Sequence, residues 1–302
     1  MGHIERAAQL LRTCDGVLIM AGAGMGVDSG LPDFRGPEGF WRAYPPFRSL
    51  GLHLEDMSNP QWFYQDPPLA WGFFGHRYGL YTKATPHDGF RILLDIGRAK
   101  ERAREGNKPS FFVFTSNVDG QFQRQGFEED RIVECHGSIH FMQCTDCRLP
   151  QCREIYPAED LDKIQVDETT MRASSVPQCR GCGTNVARPN ILMFGDYGWL
   201  SERTDAQYER YEAFLAAQKG SKLAVVEFGA GLHVPTVRRQ SEYIVSRGRS
   251  TGEYEASLVR VNPRESQTPK GDEYLGVDIG ALEFMKSVEP HLQDVLTASS
   301  GG

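Results

Sequence analysis

A short apolar strand that runs directly into a glycine-rich turn is the feature that most constrains this chain. The stretch Gly16 to Gly36 reads GVLIMAGAGMGVDSGLPDFRG. Its run Val17 to Met20 is long enough for one buried strand of a parallel sheet. Gly22, Gly24 and Gly26 follow, and because they lack side chains a ligand can approach the backbone closely. Glycines that follow a strand and open a helix present amide groups and a positive helix end, so the turn predicts a diphosphate site.

The rest of the pattern predicts an α/β fold with a Rossmann-like, doubly wound parallel sheet. Residues 4–13 have helical spacing and lead into the first strand. Further apolar runs predict strands at Phe111–Phe114, Ile132–Glu134, Ile191–Phe194, Leu223–Phe228 and Leu258–Val261. Helical patterns lie before and between them, at 89–104, 202–220 and 235–247. Strands that alternate with helices favour a parallel sheet, in which ligands bind at the carboxyl ends of the strands.

Composition argues for an ordinary globular protein rather than a membrane protein or a nucleic-acid-binding protein. The 302 residues are 40% hydrophobic and carry a net charge of −7, which gives no electrostatic case for nucleic acid or anionic lipid. No apolar run reaches the roughly 18 residues that span a bilayer. The N-terminal sequence lacks the apolar core of a secretory signal, so we expect a cytoplasmic protein.

Four of the seven cysteines form two Cys-x-x-Cys pairs, which predict a metal site. Cys144 pairs with Cys147 and Cys179 with Cys182. Tetrahedral zinc takes four thiolates, and without an export signal metal binding is favoured over disulfides. Four protein ligands leave no open position, so the zinc is expected to be structural. Cys152 is a spare cysteine in this interpretation.

Two segments interrupt the sheet pattern and suggest smaller modules. Residues 37–90 are rich in Trp, Phe, Tyr, Pro and Gly, which favours short helices that form either an aromatic core or a mobile lid. The predicted division is a Rossmann-like domain from residues 1–36, 89–143 and 184–297, a helical lid insertion at 37–88, a zinc-binding module at 144–183 and a flexible tail at 298–302.

Polar residues with catalytic potential follow two of the predicted strands. Asn117 and Asp119 come directly after the strand that ends at Phe114, and they suit a carboxamide or ribose hydroxyls, although an ordinary Asx turn is the alternative. His136 comes at the end of the next strand and is the natural general base, with His140 as a near rival. A catalytic Cys135 thiolate has no supporting motif.

Taken in order, these motifs resemble the sirtuin family, and in particular its bacterial members, over nearly the whole chain. The order is the glycine turn, Pro-Asp-Phe-Arg, Asn-Val-Asp, His-Gly, the cysteine pairs, Arg-Pro…Phe-Gly-Asp, Gly-Ala-Gly-Leu and Asn262. The resemblance implies an NAD-dependent protein lysine deacylase with structural zinc and an acyl-lysine protein or peptide as substrate. It implies that nicotinamide leaves as the acyl oxygen attacks the ribose, and that O-acyl-ADP-ribose is formed.

The resemblance also assigns roles to individual residues. NAD contacts are implied for Gly22, Ala23, Gly24, Asp33, Phe34, Arg35, Ser116, Gly229, Ala230 and Asn262. Asn117 and Asp119 would hold the nicotinamide ribose and carboxamide, and His136 would deprotonate the ribose hydroxyl that attacks the imidate. An edge that a substrate peptide joins by β-augmentation would be formed by Leu192, Phe194, Gly195 and Asp196.

Several positions depart from the family pattern and bear on NAD affinity. Gly26 stands where the family has Ser, Ser116 stands where it has Gln, and Ala230-Gly231 replaces Thr-Ser. Backbone amides remain to hold the phosphates. Family members that remove succinyl groups carry Tyr-x-x-Arg in the lid helix, whereas this chain has Phe74-x-x-Arg77. Arg77 therefore either binds an acyl carboxylate or forms a surface salt bridge, and the salt bridge is the favoured interpretation.

Two other functions are compatible with the pattern. The altered ribose contacts favour an NAD glycohydrolase or ADP-ribosyltransferase on the same fold. A non-catalytic, zinc-bearing binding module is the second alternative, but the presence of Asn117, Asp119 and His136 argues against it.

Overall fold

The computed structural model describes residues 2–33, 36–104, 108–146 and 148–297, with the backbone alone at 36–38. Within this part of the chain the strands, numbered in order, are β1 Gly16–Ala21, β2 Phe111–Thr115, β3 Ile132–Glu134, β4 Gly137–Cys144, β5 Tyr156–Pro157, β6 Val166–Asp167, β7 Arg172–Ala173, β8 Ala187–Ile191, β9 Lys222–Phe228, β10 Glu255–Val261 and β11 Tyr274–Val277.

The α-helices of the same residues are α1 His3–Thr13, α2 Gly36–Ala43, α3 Pro45–Ser49, α4 Leu54–Met57, α5 Trp62–Gln65, α6 Pro67–Lys83, α7 Asp88–Ala103, α8 Gln121–Gln125, α9 Glu202–Ala217, α10 Thr236–Thr251, α11 Ala281–Val288 and α12 Gln293–Thr297. Short 3₁₀ helices lie at Ala23–Ser29, Glu129–Arg131, Pro150–Cys152, Leu161–Lys163 and Glu289–Leu292.

Six parallel strands form the main sheet, in the order β11-β10-β9-β1-β2-β3. The central strand β1 pairs with β2 on one side and with β9 on the other, both in parallel. Every residue of β1 and β2 is buried, as expected of strands that are covered on both faces. The strand order reverses between β1 and β9, and this is the place where doubly wound sheets bind their ligands. The predicted fold class is confirmed.

Helices cover both faces of this sheet because consecutive strand residues point to opposite sides. Val17 and Ile19 of β1 pack in one core with residues of α1, α7 and α11. Leu18 and Met20 pack in a second core with residues of α9 and α10. The helices predicted at 4–13, 89–104, 202–220 and 235–247 correspond to α1, α7, α9 and α10.

A second sheet forms beside the carboxyl end of β3. Its order is β5-β4-β8, and its strands are antiparallel. The strand predicted at Ile191–Phe194 is wrong, because the strand lies at Ala187–Ile191 and belongs to this second sheet. The buried polar side chains of Arg188 and Asn190 hid it from an apolar pattern: Arg188 forms an ion pair with Asp196, and Asn190 donates to Gln143 Oε1.

The segment between β1 and α7 begins with the short helices α2 to α5, as its prolines and glycines predicted, but it ends with α6, a helix of 17 residues that the prediction of short helices missed. Its aromatic rings form a third core with residues of the second sheet, and Phe40, Tyr44, Phe47 and Phe73 are buried in mutual contact. Among the helices that the structure describes, none has the length and apolarity needed to cross a bilayer.

Candidate NAD and acyl-lysine pocket

A pocket of about 480 Å³ opens at the point where the order of the main sheet reverses. Its floor comes from the residues that directly follow β1, β2, β3 and β9, and its roof comes from α4, α6 and the segment after β8. Most of its wall is apolar, with few polar groups, which is typical of a small-molecule site. Twelve of the residues predicted from the sequence line it: Gly22, Ala23, Asp33, Arg77, Ser116, Asn117, Asp119, His136, Leu192, Phe194, Gly229 and Ala230.

The two glycine turns of the floor pack backbone to backbone. Gly229 has a φ of +56°, and a Cβ there would lie 2.3 Å from Gly24 Cα. A Cβ on Gly22 would lie 2.8 Å from Ala230 Cα. Side chains are therefore excluded where the turns meet, and a ligand at this edge would contact main-chain groups. These residues fit a dinucleotide diphosphate, although the glycine turn opens a 3₁₀ helix, Ala23–Ser29, rather than an α-helix.

Asn117 and Asp119 are fixed by the turn that follows β2. Asn117 Nδ2 donates to the Gly22 carbonyl at 3.1 Å, which ties this turn to the glycine turn. Asp119 is buried, and its Oδ1 accepts a hydrogen bond from Gln121 N at 2.9 Å. Burial raises the pKa of the Asp119 carboxyl to about 6, opposed by that hydrogen bond. The carboxylate is therefore ionised at neutral pH and close to its titration range.

His136 presents a ring nitrogen near the start of α10. Its Nε2 lies 3.3 Å from the hydroxyl of Thr236, the first residue of that helix. Burial lowers the pKa of His136, opposed by an interaction with the Ser116 backbone. The ring is therefore neutral at pH 7 and can accept a proton, as a general base must.

His140 and Cys135, the alternative catalytic residues considered from the sequence, lie in environments that do not favour catalysis. His140 lies outside the pocket lining, and its Nε2 contacts the Asp119 carbonyl oxygen at 2.9 Å. Burial raises the pKa of the Cys135 thiol, which opposes a thiolate at neutral pH.

Arg77 of α6 reaches the pocket from the helical insertion. It is buried, so the favoured interpretation of a surface salt bridge is wrong. Its Nε and Nη2 donate to the Tyr81 hydroxyl at 2.9 and 2.8 Å. The guanidinium also lies over the rings of Phe73 and Phe74. A cation is thereby held in an aromatic wall, a setting in which it interacts strongly with an anion.

The segment after β8 forms one edge of the pocket. Leu192 N donates to the His136 carbonyl at 2.9 Å, and Phe194 N donates to the Ser58 carbonyl at 2.8 Å. The side chains of Leu192 and Phe194 are exposed. The Asp196 carboxylate, by contrast, is buried and bound to Arg188, so it shapes the segment from behind.

Several residues predicted from the sequence lie elsewhere. Gly24, Gly195, Asp196 and Asn262 are outside the pocket lining. Asn262 is buried: its Nδ2 donates to the Ala230 carbonyl, and its Oδ1 accepts from the amides of Arg264 and Glu265. Phe34, Arg35 and Cys147 lie outside the described residues.

Four cysteines converge beside the second sheet. The sulfur atoms of Cys144, Cys152, Cys179 and Cys182 all lie within 4.8 Å of one another. Four sulfurs that each bind one zinc ion at about 2.3 Å have this kind of spacing. The donor set fits a structural zinc, because thiolates are its usual ligands and all four positions are filled. Cys152 was set aside in the sequence interpretation, and its place near the second pair becomes visible only in the fold.

Sequence reasoning also missed Tyr81, Thr236 and Glu265, all of which contact or line the pocket region. Tyr81 lies four residues after Arg77, a spacing that places both on one face of a helix and that was readable from the sequence. Thr236 and Glu265 follow strand-end turns, but no local pattern marks them as functional.

Comparisons with known proteins agree with this geometry. The family model described as the Sir2 family matches residues 22–225, which is more than half of the chain. An NAD-dependent protein deacylase of Aquifex aeolicus is 27% identical over 254 residues, covering 84% of this chain and 86% of that protein. An NAD-dependent protein deacetylase of Chromobacterium violaceum is 31% identical over 202 residues, covering 65% and 69%.

A mammalian relative is similar over a shorter part of the chain. The mitochondrial NAD-dependent protein deacylase sirtuin-5 of Canis lupus familiaris is 29% identical over 189 residues, covering 60% of this chain and 56% of that protein. The strand order, the strand-end residues and the family match lead to one assignment, and the chain belongs to the Sir2 family.

Proposed function

We propose that this protein removes acyl groups from lysine side chains with NAD as co-substrate, and that His136 is its general base. The observation that carries the proposal is that one pocket holds the glycine turn, Asn117, Asp119 and a half-buried, neutral imidazole. The names of the Aquifex and Chromobacterium relatives support the same reaction.

Each floor residue has a part in this reaction. Bound NAD supplies an electrophilic ribose carbon when nicotinamide departs. Amides of the turn around Gly22 hold the diphosphate. The Nδ2 of Asn117 is bonded to Gly22, so its Oδ1 faces the co-substrate, together with the Asp119 carboxylate. His136 Nε2 takes the proton of a ribose hydroxyl. Burial lowers the pKa of the ring, so the imidazole is neutral at pH 7 and Nε2 can accept that proton.

The acyl-lysine enters between the helical insertion and the segment after β8. Exposed Leu192 and Phe194 contact the substrate peptide beside the His136 main chain, and Gly195 and Asp196 shape the same edge. Apolar walls keep water away from the reacting ribose, which favours transfer of the acyl group over hydrolysis of NAD.

Arg77 binds the far end of an acidic acyl chain. Support comes from its buried position in the pocket and from Tyr81, whose hydroxyl offers the phenol that Phe74 lacks. Peptides carrying acetyl-lysine and succinyl-lysine test this role, and Arg77→Met should lower kcat/KM for the succinyl peptide about tenfold or more. An equal loss for both peptides would contradict it, and Arg77→Lys is the matched variant that keeps the charge.

The experiment for the main proposal measures nicotinamide release from NAD with and without an acyl-lysine peptide. Release that depends on the peptide is the expected result. Release without peptide would favour the glycohydrolase or ADP-ribosyltransferase alternative. No release with acetyl or succinyl peptides would contradict both activities.

The proposal extends to the lobes of the chain, the compartment in which it acts and the class of its substrate. The main sheet forms the NAD-binding lobe, and the helical insertion with the cysteine-bearing module forms the second lobe over the pocket. The protein acts in the cytoplasm on protein substrates rather than on nucleic acid, which its net charge of −7 supports.

A further inference from the structure

A second cavity, the hairpin cavity, lies between α3, α6 and the turn that joins β6 to β7. Its volume is about 450 Å³, which is within the range of small-molecule sites. Helix α6 contributes His76 to this cavity and the next residue, Arg77, to the pocket described above. Among the described residues the two linings have no member in common, so the hairpin cavity is a separate site.

The walls of the hairpin cavity are held in place by contacts within the protein. Arg172, directly after the turn, donates to both carboxylate oxygens of Asp66, at 2.9 and 2.8 Å. A Cβ on Gly72 of α6 would lie 1.9 Å from the Met171 carbonyl oxygen, so the helix and the hairpin pack backbone to backbone. A ligand that enters a preformed cavity has little ordering of the protein to offset.

Glu168 carries the one formal charge that the described residues place in this lining. It lies exposed on the turn between β6 and β7. Within the described part of the chain its carboxylate has neither a hydrogen bond nor an ion pair. The carboxylate is therefore open to a partner from outside the chain.

The imidazole of His76 is neutral at pH 7 and does not compensate this charge. Its Nδ1 is buried and has no hydrogen-bond partner among the described residues. Protonation would place an unpaired N–H at that atom, which is unfavourable in a buried position. Burial lowers the pKa of His76, opposed by the charge of Glu168. The lining thus has a net negative charge at neutral pH.

The other lining groups accept hydrogen bonds or offer apolar contact. The Thr169 hydroxyl already donates to Asp167 Oδ1 at 2.6 Å, which leaves its oxygen free to accept. The Ser49 hydroxyl can accept as well. Pro45 and Pro46 have no amide hydrogen, so this wall supplies no donor from them. Such a lining suits a ligand that brings its own donors.

We propose that the hairpin cavity binds a small organic ammonium, with its cation beside Glu168 and its apolar body against Ala43 and Met171. An ammonium carries three donors and no acceptor, and its bonds to a carboxylate are charge-assisted. An anion would meet the like charge of Glu168 without a cation in the described lining to bind it. A neutral molecule of the same shape would lack the ionic contact.

Ligand-observed NMR titration of the full chain with three probes of similar shape tests the proposal. The probes are phenethylammonium, 2-phenylethanol and phenylacetate, which differ in charge. The wild type should bind the ammonium with a dissociation constant of about 1 mM, at least about fivefold more tightly than the other two. NAD or an acyl-lysine peptide, each added alone at saturation, should leave this affinity unchanged, because the linings are separate.

Two charge variants identify the group that binds the cation. Glu168→Gln should weaken ammonium binding about fivefold and leave 2-phenylethanol binding unchanged. Glu168→Lys should reverse the order, so that phenylacetate binds more tightly than the ammonium. Glu209→Gln, at an exposed position on α9, is the matched control and should change no affinity. Thermal unfolding without ligand checks that the variants fold.

Equal affinities for the three probes would overturn the inference, as would the absence of ammonium binding by the wild type. Displacement of the ammonium by NAD or by peptide would also overturn it, because the probe would then lie in the first pocket. Unchanged ammonium binding in Glu168→Gln, or an equal loss in Glu209→Gln, would do the same. These are binding measurements, so a wild type that binds the ammonium at Glu168 but leaves acyl-lysine intact would retain the inference and refute the deacylase.

Discussion

The buried carboxylate of Asp119 should lower the free energy of unfolding, even though the proposed reaction needs it to hold the co-substrate. Its carboxylate is buried, and burial raises its pKa from 3.8 to about 6, with one hydrogen bond from Gln121 N and the charges of His140 and Arg77 opposing the shift. The charge of Glu134 adds to it. Ionisation at neutral pH is therefore less favourable in the folded state than in the unfolded chain. We expect Asp119→Asn to relieve this penalty.

The magnitude follows from the two pKa values. A difference of about two pKa units, at about 1.4 kcal/mol each, corresponds to about 3 kcal/mol. Between pH 4 and pH 6 the folded state binds a proton that the unfolded state does not, so the contribution of Asp119 to the free energy of unfolding falls as pH rises through this window. Above it the full penalty is present. Asp119→Asn should stabilise by up to about 3 kcal/mol at pH 7.5 and by about half of that at pH 5.

Urea unfolding of both proteins at the two pH values measures this difference. Asp162→Asn, at an exposed position, controls for the loss of one carboxylate from the surface. The same Asp119 variant should release nicotinamide at least tenfold more slowly, because the acceptor for the co-substrate is altered. A variant that is less stable than the wild type at pH 7.5, or a gain that does not depend on pH, would refute the reasoning.

Three further substitutions test the other parts of the pocket and the metal site. His136→Ala should fold, retain zinc and largely lose acyl transfer, while nicotinamide exchange partly persists; unchanged deacylation would remove His136 from its role. Cys179→Ser should release zinc, measured by metal analysis, and lower the unfolding temperature, since structural zinc binding is coupled to folding; a zinc-free, fully active variant would contradict this. Thr236→Val should lower kcat about tenfold with NAD binding unchanged, whereas Thr236→Ser should retain the rate, because only the hydroxyl contacts His136 Nε2.

Much of the main sheet could be predicted because its strands are buried on both faces. Such strands appear in the sequence as short apolar runs, and each run ends where polar or glycine residues begin. Val17 to Met20 and Phe111 to Phe114 are of this kind, and the residues that follow them, including Asn117, reach the same edge of the sheet.

The second sheet could not be predicted in this way. Strand β8 carries Arg188 and Asn190 in buried positions. Arg188 pairs with Asp196 around a turn, and Asn190 Nδ2 donates to Gln143 Oε1 and to the Leu200 carbonyl. The pattern of apolar residues therefore predicted a strand that begins at Ile191, whereas β8 ends there. Cys152 was missed for a related reason: it has no Cys-x-x-Cys partner, and its approach to Cys179 depends on how the module folds.

The surroundings of individual pocket residues also depend on tertiary structure. A surface salt bridge was the favoured interpretation of Arg77 in the sequence, but α6 turns it inward against Tyr81 and two phenylalanine rings. Thr236 begins α10 and Glu265 lies in the loop after β10, and the course of both segments is set by contacts between strand ends. Their positions near His136 and Gly231 become visible only in the folded chain.

The central claim is that NAD cleavage and lysine deacylation are one coupled reaction in this pocket. Mass spectrometry of a single reaction mixture, with NAD and an acyl-lysine peptide, tests this most directly. The account predicts nicotinamide, free lysine peptide and O-acyl-ADP-ribose in equal amounts, and loss of the free lysine peptide and of O-acyl-ADP-ribose in His136→Ala. Nicotinamide with plain ADP-ribose and an intact acyl peptide would contradict it.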